Sequence, residues 1–218
     1  MILFTPKEVK KLFNNVVERK YGPGQIVIYN GDKPIHVMFI KSGAVKFYDI
    51  DSEGNEKILH IGGKGSIFPL FYPFEDKSKV DAFYTTICDT EVLLIPLDDF
   101  RKKLRLSPQY AFHILRWYAK EMDHVVRRLK SLEKSSAQEK VLEALSYLCN
   151  QHATIKRLGS DWYKTNFPVT QQALADMTGL TRETVNVELK TTEKLQLTRN
   201  RKQTLEINRK NLTKAMPN

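Results

Sequence analysis

Cysteine is almost missing from this chain: Cys88 and Cys149 are the only two in 218 residues, and no CxxC or Cys/His ligand set surrounds either. One chain can build neither a zinc site nor an iron–sulfur cluster from them. Long apolar runs are missing too. No stretch approaches the roughly 18 apolar residues of a membrane-spanning helix, and the opening Met-Ile-Leu-Phe-Thr-Pro-Lys lacks the basic and apolar regions of a signal peptide. These absences lead to the expectation of a reduced, soluble, cytoplasmic protein with no membrane partner. The five histidines, His36, His60, His113, His124 and His152, are scattered, with no HxH pair or suitably spaced carboxylate. A metal-dependent β-barrel enzyme needs such a cluster. With no nucleophile or general base in evidence, no catalytic residue, metal or cofactor is expected.

What the chain has is charge, unevenly placed. The formal net charge is +10, yet residues 1–100 carry 12 Lys/Arg against 14 Asp/Glu. Residues 101–134 carry 10 against 3, and residues 135–218 carry 13 against 8. A mildly acidic front and a basic back direct only the second half toward a polyanion, through phosphate contacts that salt weakens. A solvated basic surface is the alternative. The length fits two domains better than one.

Residues 5–20 open the chain with Val9, Leu12, Phe13, Val16 and Val17 at helical spacing, Thr5 as cap and Pro6 in the first helical position. The pattern predicts a helix of about four turns. Short β-rich runs follow at 25–29, 36–40, 44–48, 57–61 and 91–95, separated by Gly, Asp and Asn turns, with Ser52-Glu-Gly-Asn55 as a hairpin tip. This spacing predicts a jelly roll or β-roll. Ser107-Pro108 then starts a helix, and no Pro or Gly recurs before Gly159. Leu115, Ala119, Met122, Val126 and Leu129 keep coiled-coil spacing, with Tyr118, Val125 and Leu132 alongside. One seam can pack on its own domain and the other on a twin; a helix merely lying across the roll is the alternative. Lys134-Ser-Ser-Ala-Gln138 is a polar break, and the next helix, from about Ala137 to Cys149, buries Val141, Leu142, Leu145 and Leu148.

The most specific stretch is 170–190. Thr170 can cap a first helix carrying Ala173, Leu174 and Met177, and Gly179 permits the left-handed turn out of it. Thr181 caps a second helix, whose Val185 and Leu189 face inward while Arg182, Glu183 and Asn186 occupy the other side, where a major groove would lie. Behind it, Leu195 to Leu197, a basic turn at Arg199-Asn-Arg-Lys-Gln203 and Thr204-Leu-Glu-Ile207 predict a two-stranded wing. An ordinary helical hairpin is the competing reading.

In this order the pieces resemble the CRP/FNR family of bacterial transcription regulators across nearly the full length. Gly179-Leu-Thr-Arg-Glu-Thr-Val185 carries the likeness most specifically, with support from Gly31-Asp32, Ser42-Gly43-Ala-Val-Lys46 and the segment Gly54 to Gly65. The resemblance implies an α+β chain with a cyclic-nucleotide-binding-like β-roll at 1–106, a long dimerisation helix at 107–134 and a winged helix-turn-helix at 135–218. It implies a homodimer on inverted-repeat double-stranded DNA, with RNA polymerase as a further partner and an effector sensed in the roll. Two of the family's three base-reading positions are matched by Arg182 and Glu183. Arginine can bond guanine bidentately, and a carboxylate can accept from cytosine N4. The third, usually arginine, is Val187, so a thymine methyl contact replaces guanine reading there. Asn186 completes the base-reading set. Thr170, Gln171, Thr181 and Thr184 match positions that grip phosphate, and electrostatics adds Arg199, Arg201 and Lys202 of the wing.

The effector region departs from the family. Cyclic-nucleotide-binding members carry a glutamate for the ribose and an Arg-Ser pair for the phosphate; here Pro69 and Val80-Asp81 take those places. An aspartate repels a phosphate, so cyclic AMP is not expected. The segment Ile67-Phe-Pro-Leu-Phe-Tyr-Pro-Phe74 offers instead an apolar and aromatic surface. Phe68, Pro69, Leu70, Phe71, Val80, Asp81 and Phe83 form the expected pocket, for a small apolar or aromatic effector or for none. Core filling is the alternative role of these residues, and Cys88 is either a redox sensor or a small buried hydrophobe. The rival to DNA reading is a dimeric scaffold with a degenerate helix-turn-helix, supported by Val187 and by Glu188 and Thr192, the last two standing where the family usually has apolar packing.

Arg182→Ala is expected to weaken operator binding by about 1–3 kcal/mol and to relax specificity at one base pair. Competition gel shifts measure this, and an equal loss on random DNA contradicts the role.

Overall fold

The computed structural model describes residues 4–69, 71–74, 79–155, 159–201 and 204–216. They form two compact units: residues 1–49 with 59–124, and residues 50–58 with 125–218.

In the first unit, helix α1 spans Pro6–Leu12 and is fixed at its start by a reciprocal capping box between Thr5 and Glu8. It is shorter than its apolar pattern predicts. Phe13 is already extended, Asn15 has a φ of 56°, and Val17–Tyr21 is strand β1. Asparagine is a poor helix former that tolerates the left-handed region. The β-branched pair Val16-Val17 then favours a strand. Of the helical pattern, Val9 and Phe13 are buried in the core, Leu12 and Val16 pack against it partly buried, and Val17 is exposed.

Seven more strands complete the roll: β2 (Ile26–Ile28), β3 (His36–Ser42), β4 (Val45–Ile50), β5 (Glu56–Gly62), β6 (Ile67–Phe68), β7 (Phe83–Thr86) and β8 (Thr90–Pro96). They pair as two four-stranded sheets, ordered β1-β8-β3-β6 and β2-β7-β4-β5. Strands β3 and β8 read as nearly unbroken apolar runs because both of their faces are covered. Val37, Phe39, Leu93 and Ile95 pack with Val9, Phe13, Phe100, Ile114 and Trp117. Met38, Ile40, Val92 and Leu94 point the other way, among Ile28, Val45, Phe47, Phe68 and Tyr84. Removing such side chains from water supplies the main driving force for the roll.

Helix α2, Leu97–Leu106, is absent from the sequence-based expectations, although its signals are present. Leu97 and Phe100 are buried three apart, Asp98 and Asp99 lie in the first turn, and Lys103 and Arg105 lie in the last. Helix α3 runs Pro108–Leu132, and the amide of Tyr110 donates to Ser107 Oγ at its start.

The second unit contains α4 (Ala137–Gln151), capped by Ser136, and the helix pair α5 (Gln171–Thr178) and α6 (Arg182–Lys194). Strands β9 (Ala153–Ile155), β10 (Trp162–Thr165), β11 (Thr198–Arg201) and β12 (Thr204–Asn208) form a sheet ordered β11-β12-β10-β9. Helix α7, Arg209–Ala215, follows. The wing is therefore larger than the two strands read from the sequence, and its first strand begins later. Leu195 ends α6 and Gln196 takes a φ of 55°, so residues 195–197 form a connection.

The turn between β3 and β4 depends on Gly43, with a φ of 90°. A Cβ there would lie 2.5 Å from the Asp89 carbonyl oxygen and 2.7 Å from Thr90 Cα. Gly43→Ala is expected to cost about 2 kcal/mol or more through strain and overlap together. Gly54→Ala, also at positive φ (84°) but in open space, meets only the strain and is expected to cost about 1 kcal/mol. Denaturant midpoints compare the two.

Candidate nucleic-acid interface and roll cavity

Helices α5 and α6 begin on threonines whose side chains do the same job. Thr170 Oγ1 accepts from the Ala173 amide at 3.0 Å, and Thr181 Oγ1 accepts from the Thr184 amide at 3.2 Å. Each satisfies one amide left without a helical partner. Between them Gly179 sits in the left-handed region at a φ of 68°, its amide donating to the Ala175 carbonyl. Leu174, Met177 and Val185 are fully buried, which fixes the two helices against each other and leaves the opposite side of α6 outward.

That outer side presents Arg182 and Glu183, both exposed, and Val187, which is 59% exposed. Asn186 is half-buried, and its Oδ1 accepts from Gln171 Nε2 at 2.9 Å. Thr181 and Thr184 lie with their hydroxyls 3.0 Å apart at the N-terminus of α6. There the helix dipole and unpaired amides favour an anion. Arg199, on β11, stacks its guanidinium over Trp162 of β10, 3.3 Å from the ring centroid. Arg201 ends β11, and Lys202 lies outside the described residues.

Thr192 does not mark decay of the helix pair. It is 1% exposed, and its Oγ1 lies 2.8 Å from Thr198 Oγ1 and donates to the Leu189 carbonyl at 2.8 Å. A buried hydroxyl so paired carries no desolvation debt. Behind the pair, Arg128 of α3 is 6% exposed. Its guanidinium donates to the Ile58 carbonyl at 3.2 Å and also to the Met177 carbonyl in the last turn of α5. Burial lowers its pKa from the usual arginine value.

The roll encloses a small cavity lined by Val45, Phe47, His60, Gly62, Ser66, Ile67, Phe68 and Tyr84. Its free space is about that of one water molecule. Of the expected pocket residues that are described, only Phe68 lines it. Pro69 and Val80 are buried, Val80 in the cluster around the cavity, and Phe71 packs against that cluster. Phe83 stacks on Tyr48, Asp81 is exposed, and Leu70 lies outside the described residues. Strand periodicity did pair some of the other lining residues. Val45 and Phe47, like His60 and Gly62, are two apart on a strand and share a face.

His60 also meets a group that sequence spacing could not reveal. Its Nε2 lies 3.2 Å from Glu121 Oε2, and His124 Nδ1 lies 3.8 Å from the same oxygen. Burial alone would raise the Glu121 carboxyl, but the imidazoles of His124 and His60 beside it hold it well below the usual carboxylate range. Among the described residues, no group of three or more His, Cys, Asp or Glu side chains could hold a metal ion. Burial pushes the Cys88 and Cys149 thiols up, which disfavours the reactive thiolate.

Along α3, Leu115, Val126 and Leu129 are 61%, 48% and 55% exposed, Ala119 is exposed and Met122 is half-buried. The inward positions are instead Tyr110, Ile114, Trp117, Glu121, His124 and Arg128. No helix among the described residues is long and apolar enough to cross a membrane.

Comparison with known proteins agrees with this architecture. Residues 18–107 match the cyclic nucleotide-binding domain family, and residues 139–214 match the Crp-like helix-turn-helix domain family. The chain is 26% identical over 168 residues to the HTH-type transcriptional regulator ArcR of Staphylococcus epidermidis, covering 77% of this chain and 72% of that protein. It is 24% identical over 174 residues to the cAMP-activated global transcriptional regulator CRP of Haemophilus influenzae, covering 80% and 76%. The solved structure of FixK2 from Bradyrhizobium japonicum shares the fold with a TM-score of 0.80 at 20% identity, covering 94% of this chain and 99% of that one. With a cyclic nucleotide-binding domain followed by a Crp-like helix-turn-helix domain, the chain belongs to the CRP/FNR family of bacterial DNA-binding transcription regulators, which are not enzymes.

Proposed function

We propose that the protein acts as a homodimer on inverted-repeat DNA, with each α6 in the major groove of one half-site. In this reading residues 1–106 sense, 107–134 dimerise and 135–218 bind DNA. The observation that carries it is the outward display of Arg182, Glu183 and Val187 on a helix whose other face is sealed by Val185. Asn186 joins them in reading bases. The hydroxyls of Thr170, Thr181 and Thr184, with the Gln171 amide at the first position of α5, meet phosphates, as do Arg199, Arg201 and Lys202 from the wing. The exposed Leu115, Ala119, Val126 and Leu129, with Met122, supply an apolar stripe that a twin helix would cover. RNA polymerase is the further partner that transcriptional control requires, and the working compartment is the cytoplasm.

Control comes from a small effector other than cyclic AMP, or from none. Asp81 stands where a phosphate would need a cation, and the cavity in the roll is lined almost wholly by apolar groups. The apolar lining suits a small apolar or aromatic effector better than a nucleotide, and with free space for about one water the cavity admits such an effector only if the surrounding side chains move apart.

Two results test these statements. Leu115→Glu with Leu129→Glu is expected to convert a dimer into a monomer in sedimentation velocity and to abolish a gel shift on inverted-repeat DNA that the parent loses steeply with added salt. A variant that stays dimeric places the interface elsewhere. Cyclic AMP up to millimolar concentration is expected to leave the melting temperature unchanged; a clear rise contradicts its exclusion.

A further inference from the structure

The side chain of Asn186 is held on the reading face of α6. It follows Arg182 by four residues and Glu183 by three, so the three share one side of the helix. A free asparagine presents a carbonyl and an NH2 together, and that edge matches adenine, which offers a donor at N6 and an acceptor at N7. Asn186 is not free in this way. Gln171 Nε2 donates to its Oδ1 at 2.9 Å, which turns the carbonyl toward α5 and the NH2 away from it. Gln171 is itself anchored at the first position of α5, immediately after the Thr170 cap.

We propose that Gln171 is a positioning residue that makes Asn186 a donor-only reader, so that the base it faces is selected for its keto group. This rests on the reading of α6 as the helix that contacts bases. An outward NH2 finds acceptors on guanine (O6 and N7) and on thymine (O4). Cytosine offers it only the N4 donor, and adenine offers N7 beside a competing N6 donor. The half-site therefore carries guanine or thymine opposite Asn186, rather than the adenine that an asparagine at a DNA interface usually selects.

The polarity of the pair makes this reversible by one substitution. Glutamate at position 171 only accepts, so it draws the Asn186 NH2 toward itself and leaves Oδ1 facing outward. The preferred base then carries an amino group, adenine or cytosine. Methionine, similar in length and unable to bond strongly, releases the amide and allows the bidentate adenine contact. Added negative charge in Gln171→Glu lowers affinity for every sequence alike, whereas the ratio between bases at one position reports only on the amide.

The experiment is selection from a randomised inverted-repeat library with the full-length protein, Gln171→Glu, Gln171→Met and Asn186→Ala, with melting curves to verify that each folds. The Asn186→Ala variant identifies the base pair, as the one position where preference disappears. The expected result is a preference of about fivefold for guanine or thymine in the parent, transferred to adenine or cytosine by Gln171→Glu and to adenine by Gln171→Met. A parent that enriches operators but keeps the same base preference in both Gln171 variants overturns the positioning role and leaves DNA reading intact. A parent that enriches no duplex overturns DNA reading and this inference together.

Discussion

The second unit is organised around one buried cation. Arg128 is removed from water on α3, and its hydrogen bonds go to the carbonyls of Ile58 and Met177. Ser131 Oγ lies at its side and donates back to the Arg128 carbonyl at 2.6 Å. A guanidinium offers five donors in a fixed plane, so the groups that satisfy it are held in fixed directions. One of them is a carbonyl in the last turn of α5, where helical carbonyls lack internal partners and the dipole is negative. The hairpin segment Ile50–Ile58, α3 and α5 are thereby referred to a single point. Because α6 is set on α5 by the Gly179 turn, the direction in which Arg182 and Glu183 face descends from the same cation.

Legibility in the sequence followed the range over which each feature is encoded. The helix pair at 170–190 was readable almost to the residue, because caps, the glycine and the apolar spacing all lie within one turn of what they control. The roll was readable as a class, since Gly and Asp turns punctuate short apolar runs. The start of the chain misled because Val16 and Val17 continue a helical period by chance, and only the break at Asn14-Asn15 tells that they belong to β1. Contacts across sequence carried no signal at all. His60 and Glu121 are brought together by packing, as are Arg128 and Met177, and the cavity lining is shared among strands that neighbour each other only in the folded roll.

The two units use different physics. Around α5 and α6, polar groups are aligned by hydrogen bonds, from the Ala173 amide to Thr170, from the Thr184 amide to Thr181 and from Gln171 to Asn186. In the roll, aromatic side chains pack ring against ring: Phe47 with Tyr84 at 5.0 Å, Phe68 with Tyr84 at 5.6 Å and Tyr48 with Phe83 at 5.4 Å. Hydrogen bonds carry direction and so suit recognition of base edges. Ring packing yields to shape and so suits the largely apolar lining of the cavity.

The hydroxyl pair of Thr192 and Thr198 bears on how α6 is kept from turning about its own axis. An apolar contact between a helix and a sheet strand resists separation but allows a few degrees of roll, since dispersion varies slowly with angle. A bond between two hydroxyls 2.8 Å apart does not, because small rotations move the oxygens out of reach. The threonines therefore act as a torsional key, and the azimuth of α6 is set from the wing side as well as from α5.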